Sequence, residues 1–408
     1  MSTLKQERLL GDLDRLIFYA ILALAFFLAL FPDLATVSLI IGSFFWFIKL
    51  YITKGKTFKR TPYDIAIVTF VVISGLSVFV SPDPAFSFYN YYHLIGRYVF
   101  TYLLVVQNIV KMQQIKQIVY ALGLSAAFVV GYGFYQSIHG IDISSMKWVD
   151  GEAFPELKTR VFSTWENPNI LAGYLVVIMS IVFGLFCKLA DKKQRGILTA
   201  FFCLLGICLG LTYARGACLT LALVIAGYGI LQNRKILAGF IVLTIMLLAF
   251  DTALSERLLS VFTKVDTSSE MRFALWESTM AMILDHPLLG IGWGSYWMVY
   301  PEYDFYINNP AVRIVHAHNL YLNFAAEIGL AGFMSFMVCM LGHMSLALSN
   351  THLRESKFLN GLLLGCGLAI VSILLNGFTD YVLFNIESSM LFWFLCALIV
   401  LITRQSLD

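Results

Sequence analysis

Met271-Arg-Phe-Ala-Leu-Trp-Glu-Ser278 and His316-Ala-His-Asn-Leu-Tyr-Leu322 mark the middle and the end of the longest polar interruption in the chain, which runs from Asp251 to His318. Almost everything around it is apolar. A polar insert of this length exceeds any passive connection between packed elements, so it is the place with room for a reaction site outside a bilayer. The contrast decides the fold class: an all-α, polytopic integral membrane protein, one domain over 1–408, with a large loop at 251–318 carrying the site.

Composition agrees. Hydrophobic residues make up 59% of the chain and charged residues 13%, with a mean hydropathy of +0.79; a soluble domain carries about 25% charge. The net charge of +3 gives no reason to expect a nucleic-acid partner. All seven cysteines (Cys187, Cys203, Cys208, Cys218, Cys339, Cys366 and Cys396) fall in apolar runs without CxxC spacing. They read as small membrane-buried residues, with neither a disulfide framework nor a zinc site. Residues 1–15 are polar and mixed in charge, unlike a cleavable signal peptide.

Apolar runs long enough to span a bilayer, or nearly so, predict about twelve helices. They fall near 16–31, 34–52, 63–80, 94–109, 116–137, 168–187, 196–213, 217–232, 235–250, 319–347, 358–379 and 385–403. With the N-terminus inside, 19 of the 28 Lys and Arg residues fall on the inside, which sets both termini in the cytoplasm and the 251–318 insert on the far side. Six of the nine outside positives are arginine. Arginine is preferred where a planar fork grips phosphate or carboxylate.

Two more outside stretches carry such arginines: 138–168, which leads into Thr159-Arg-Val-Phe-Ser-Thr-Trp-Glu-Asn-Pro-Asn169, and the tight turn Thr212-Tyr-Ala-Arg-Gly-Ala217. Position alone allows Arg215 to be a snorkelling interface residue, but an outer arginine works against the usual charge bias. Within the insert, Arg272 to Leu284 has helical spacing, with Phe273, Trp276, Met280 and Ile283 as its apolar stripe. Asp285-His-Pro ends that helix, and Gly290-Ile-Gly-Trp-Gly-Ser295 reads as a close-approach turn.

His316 and His318 stand just before a long apolar helix. Capping that helix is the structural alternative. A zinc site needs a third ligand, and the nearest histidine, His286, is thirty residues back; the outer acid pairs Asp150/Glu152 and Glu302/Asp304 leave a divalent ion open. The catalytic reading is that the positive end of the helix dipole keeps the ring neutral, so that it accepts a proton from a hydroxyl. Arginines from other segments then hold an anionic leaving group. That combination suits transfer of a group from a lipid phosphate or diphosphate.

The pattern His318-Asn319, nine residues, Gly329, two residues, Gly332 resembles the periplasmic-loop signature of the bacterial O-antigen ligase and O-antigen polymerase superfamily. Arg160-Val-Phe-Ser-Thr-Trp-Glu-Asn-Pro-Asn-Ile-Leu-Ala172, Tyr213-Ala-Arg-Gly216, and Arg272 through Trp276 to Asp285-His-Pro-Leu-Leu-Gly-Ile-Gly292 are similar to its other motifs, in order. The resemblance implies a membrane-type, inverting, metal-independent glycosyltransferase without a cofactor, on the periplasmic face of the bacterial inner membrane. Its donor would be a glycan on undecaprenyl diphosphate and its acceptor the lipid A-core oligosaccharide. His318 would match the family's essential histidine as general base. Arg215 and Arg272 would match diphosphate-binding arginines, with Arg160, His316 and Asn319 beside the substrate. The Gly329/Gly332 pair would let another helix approach closely.

Chain polymerases and protein O-oligosaccharyltransferases share these motifs and differ in acceptor. The ligase reading is preferred because one compact outer loop carries both the arginine and the histidine motifs. A transporter or flippase of lipid-linked sugars would need charge inside the bundle, but the apolar spans carry few acids or bases, Glu327 being the clearest exception.

Overall fold

A computed structural model of the chain describes residues 3–140, 160–250, 267–305, 314–352 and 355–404. Asp150 and Glu152, and most of the 138–168 stretch, lie outside them. The described residues are helical without a strand. In chain order the helices are α1 (Thr3–Phe27), α2 (Pro32–Ile52), α3 (Asp64–Ser77), α4 (Pro84–His93), α5 (Phe100–Asn108), α6 (Met112–His139), α7 (Pro168–Lys188), α8 (Lys192–Leu211), α9 (Arg215–Leu231), α10 (Arg234–Phe250), α11 (Thr267–Asp285), α12 (Leu320–Ser349), α13 (Lys357–Asn376) and α14 (Ile386–Arg404).

Helix starts follow local chemistry. Asp83 and Asn167 each accept two backbone N–H bonds immediately before a proline at the first helical position, and Asp191 and Ser356 cap α8 and α13. Among the described residues, seven helices are long and apolar enough to cross a membrane; Asp64–Val80 and Arg215–Leu231 are shorter apolar helices. This is a multi-pass membrane protein. Two expected boundaries shift. Residues 3–15 continue α1 as helix, and the span expected near 94–109 begins at Pro84, running through a π-helical turn at Leu94–Val99. Hydropathy missed that start because Phe86-Ser-Phe-Tyr-Asn-Tyr-Tyr-His93 mixes rings with polar groups.

The core is built around α14, whose residues Ser388 to Ile402 are buried on every side, as expected of a helix apolar all round. Against α2, α3, α6 and α8, large side chains such as Ile40, Phe44, Ile65, Phe128 and Ile207 stay exposed, forming the apolar surface that lipid covers. The closest helix pair is α7 with α13. A Cβ on Gly365 would sit 2.6 Å from the Ile181 Cα, and one on Gly184 would sit 2.2 Å from the Gly365 N. Gly361-x-x-x-Gly365 is thus a small-residue stripe that lets two backbones meet.

The Gly329/Gly332 expectation changes. Gly329 breaks α12 with φ 69° and ψ 175°, and a Cβ there would meet the Leu288 carbonyl oxygen at 2.1 Å. The close approach comes from the glycine turn, not from another helix. Gly332 faces Ile328 of its own helix. The turn is stitched to the break by Ile291 N–H to Ala326 O (2.9 Å), Gly292 N–H to Glu327 O (3.0 Å) and Leu330 N–H to Pro287 O (2.8 Å). These bonds satisfy backbone groups that the kink frees.

Candidate active site

The site forms where the start of α12 meets the end of α13. Asn319 is the N-cap of α12, accepting from the N–H groups of Tyr321 and Leu322. Its amide also donates to the Phe378 carbonyl at 3.2 Å. Leu320 N–H donates to Gly377 O at 2.8 Å, and the Tyr321 hydroxyl donates to Leu374 O at 2.7 Å. Both ends of the Asn319 side chain therefore serve the fold. His318 precedes the cap in the left-handed region, with φ 48°.

That stitching brings Asp380 to His318, an acid 62 residues away that sequence reading did not single out: Oδ1 lies 3.4 Å from Nδ1. An ionised carboxylate only accepts, so Nδ1 carries the proton and Nε2 keeps its lone pair. The nearest electrostatic partner of the ring is this carboxylate; the helix terminus invoked from the sequence lies one residue further on. Burial works to raise the Asp380 pKa. The hydrogen bond and charge of His318, the charge of His316 and the Tyr381 N–H outweigh it and bring the carboxyl down to about 2.

His316 packs its ring 4.2 Å from that of His318 and 5.0 Å from Phe384. Its Nδ1 accepts the His318 N–H at 3.2 Å, holding the strained backbone. Burial, then the charge of His318, lower its pKa to about 3; Asp380 opposes this and Arg272 adds to it. His316 is a neutral ring in the physiological range.

The three arginines converge from separate segments. Arg160 donates through Nε to Thr212 O at 2.8 Å and through a terminal nitrogen to Asn169 Oδ1 at 2.7 Å. It feels both Asp380 and Arg215, and burial first of all lowers its pKa to about 10. Arg215 is exposed at the first position of α9, whose N-cap, Ala214, supplies no side-chain cap. The neighbouring Gly216 abuts Thr379, where a Cβ would lie 3.0 Å from Oγ1. Arg272 rides on α11 and acts on His316; its Nε is buried and meets no partner among the described residues.

The expected stripe on α11 is borne out in part: Ile283 is buried and Trp276 packs partly buried on a small core. Phe273 is 59% exposed and Met280 45% exposed, whereas Leu275, Ser278, Thr279 and Met282 are buried. Leu275 and Met282 form a small core with Ile291, Tyr296, Tyr300 and Ala317. Thr279 lies on the buried face because its hydroxyl pairs with Tyr296 at 2.7 Å. Ala317, fully buried between the two histidines, fixes their height against α11.

His316, His318 and Asp380 each offer a ligand atom within 4.8 Å of the others, a donor set that zinc accepts. The third group the sequence lacked is Asp380; His286 is exposed on its own turn. In the protein alone, both Nδ1 atoms already face partners within the triad.

Helices that cross a membrane, with arginines and a histidine–carboxylate pair gathered where their ends meet, define the class: a polytopic membrane protein with a cationic, histidine-centred site. Residues 199–337 match a family model described as O-antigen ligase, so this part of the chain is similar to that family. The matched stretch contains Arg215, Arg272, His316, His318 and Asn319; Arg160 and Asp380 join them through the fold. No curated protein matches the chain.

Proposed function

We propose that the chain is an O-antigen ligase that moves a glycan from undecaprenyl diphosphate to the lipid A-core oligosaccharide, without a metal and with inversion. One observation carries the reading: a histidine oriented by a carboxylate, with Arg160 acting on that carboxylate and on Arg215 and Arg272 acting on the adjoining His316. His318 Nε2 takes the proton of the acceptor hydroxyl, and that oxygen attacks the anomeric carbon. The bond to the diphosphate breaks on the opposite face, and the diphosphate leaves with the electron pair. Arg272 and Arg215, the latter at the positive end of α9, take up the charge that develops on it. Asp380 stabilises the imidazolium formed on His318.

The proposed setting is the bacterial inner membrane, with twelve helices across it, both termini cytoplasmic, and the 251–318 loop and the site periplasmic. The test is His318→Ala: a 10²–10⁴-fold loss of transfer, with membrane level and donor binding retained. In a deletion strain, a core without any polymer and an accumulation of lipid-linked polymer support the ligase. A core bearing a single repeat unit would make the enzyme a polymerase instead.

A further inference from the structure

Beside the histidine pair lies a cavity of ≈390 Å³ that the reaction described above does not use. Its walls come from α3, α4, α12, α14, the glycine turn and the loop before α14. Ten of its 21 lining residues are Phe, Tyr or Trp, and none is Lys or Arg. The polar groups among them include Asn90, His93, Asn385 and two carboxylates, Glu327 and Glu387. Tyr381 and Phe384 form the wall shared with the catalytic pair, their rings 6.0 and 5.0 Å from the ring of His316.

Charge thus divides the region. Arg160 acts on Asp380 and Arg215, and Arg272 on His316, while the cavity wall holds two carboxyl groups and no lysine or arginine, Arg97 acting on Glu387 from outside the wall. A diphosphate meets no lysine or arginine in the cavity wall and is drawn to the arginines instead. Apolar walls with a few directed acceptors are the general form of a small-molecule site. Ring faces are electron-rich, so the C–H face of a pyranose stacks on them, and carboxylates accept its hydroxyl protons. At the rim, Tyr89 is 62% exposed and Phe384 47% exposed, with Phe88 and Tyr92 also exposed nearby. Such an aromatic cluster marks headgroup level, where a lipid-anchored glycan presents its sugars.

We infer that this cavity is an acceptor subsite, binding an uncharged, hydroxyl-bearing sugar unit of the acceptor behind the rings of Tyr381 and Phe384, which pack on His316 beside His318. The inference rests on the transferase reading: the donor's glycan is tethered to the diphosphate among the arginines, so the acceptor occupies the space on the carboxylate side of the histidines. The bound unit neighbours the reacting hydroxyl rather than carrying it.

The experiment uses the full chain in phospholipid nanodiscs. The fluorescence of Trp293 and Trp393, both in the wall, reports titrations with methyl β-glucopyranoside, inorganic pyrophosphate and farnesol. Wild type should give a saturable response to the glycoside. Glu387→Gln, which is isosteric, and Tyr89→Ala, at an exposed position, should each weaken it at least tenfold and leave pyrophosphate affinity within twofold. Arg272→Lys should do the reverse. In turnover, the two cavity variants should raise the acceptor KM at least tenfold and leave the donor KM within twofold. A glycoside response indifferent to both variants, displacement of the glycoside by farnesol, loss of pyrophosphate binding alongside glycoside binding in both variants, or a rise in donor KM alone would each overturn the subsite. Undiminished pyrophosphate binding by Arg272→Lys would instead count against the diphosphate reading and leave the cavity result standing.

Discussion

Asp380→Asn is the most demanding test of how the site works. The substitution keeps the shape of the side chain and an oxygen to accept the Tyr381 N–H, which bonds Oδ1 at 2.8 Å. It removes the charge facing His318 Nδ1 at 3.4 Å. If His318 becomes imidazolium in the transition state, the lost attraction at that distance is about 5 kcal/mol with an effective dielectric of about 20. The His318 side chain is 36% exposed, so water screens part of it, leaving about 2–3 kcal/mol. That corresponds to roughly a 30- to 150-fold fall in kcat. Because the charge exists only once the proton has moved, kcat and kcat/KM should fall together while the KM values hold. The assay is transfer of labelled lipid-linked glycan in proteoliposomes. Wild-type kcat in Asp380→Asn, or a defect confined to donor KM, would refute the pairing of this acid with the base.

Other perturbations separate the remaining roles. Arg215→Lys and Arg272→Lys should each impair transfer despite the retained charge, since an ammonium cannot reproduce a two-pronged grip; wild-type turnover in both would reassign them to interface anchoring. His316→Ala should cost less than His318→Ala, because it loosens the backbone of the base without removing it, and a dead His316→Ala beside an active His318→Ala would exchange the two assignments. Acid should destabilise the fold in a defined window. Between about pH 6.5, the ordinary histidine value, and about 3, the unfolded chain binds a proton that His316 refuses, so stability falls as pH falls. The contribution of Asp380 is complete above about 3.9 and is lost toward about 2. His316→Gln should flatten the thermal-stability profile between pH 6.5 and 4, and an unchanged slope would contradict the burial of that ring. A chelator should leave the rate unchanged, whereas excess zinc should inhibit through His316, His318 and Asp380, with less effect in Asp380→Asn.

What the sequence made legible is what short-range chemistry encodes. Apolar runs located most of the helices, Asp285-His-Pro ended α11 where expected, and the positive φ of Gly290, Gly292 and Gly294 fits the turn read from Gly290-Ile-Gly-Trp-Gly. Asp380 was invisible because nothing near it in sequence marks it; it becomes a site residue only when Asn319 and Leu320 bond the end of α13. On α11, Trp276 and Ile283 were read correctly, whereas Phe273 and Met280 were misread for a related reason. The partners of that helix are Ala317 and the 291–300 segment, and a hydroxyl such as Thr279 counts as polar until Tyr296 meets it. The Gly361-x-x-x-Gly365 stripe was not singled out from the sequence, because its partner, Gly184, lies on a distant segment.

The places where local rules fail are themselves informative. Among the described residues, the non-glycine ones in the left-handed region besides Lys54 are Ser163, Glu166, Tyr213 and His318, and each stands within three residues of Arg160, Asn169 or Arg215, or is the proposed base itself. Such conformations cost of order 1–3 kcal/mol each and persist only where the surroundings over-determine them. Here the surroundings are identifiable. Ser163 donates to Val129 O at 2.7 Å, and its N–H is taken by Gln136 at 2.6 Å. Tyr213 N–H is held by Gly210 O at 3.0 Å, and His318 N–H by His316. Three separate segments that carry candidate site residues thus hold strained backbone, each supported by its own hydrogen bonds.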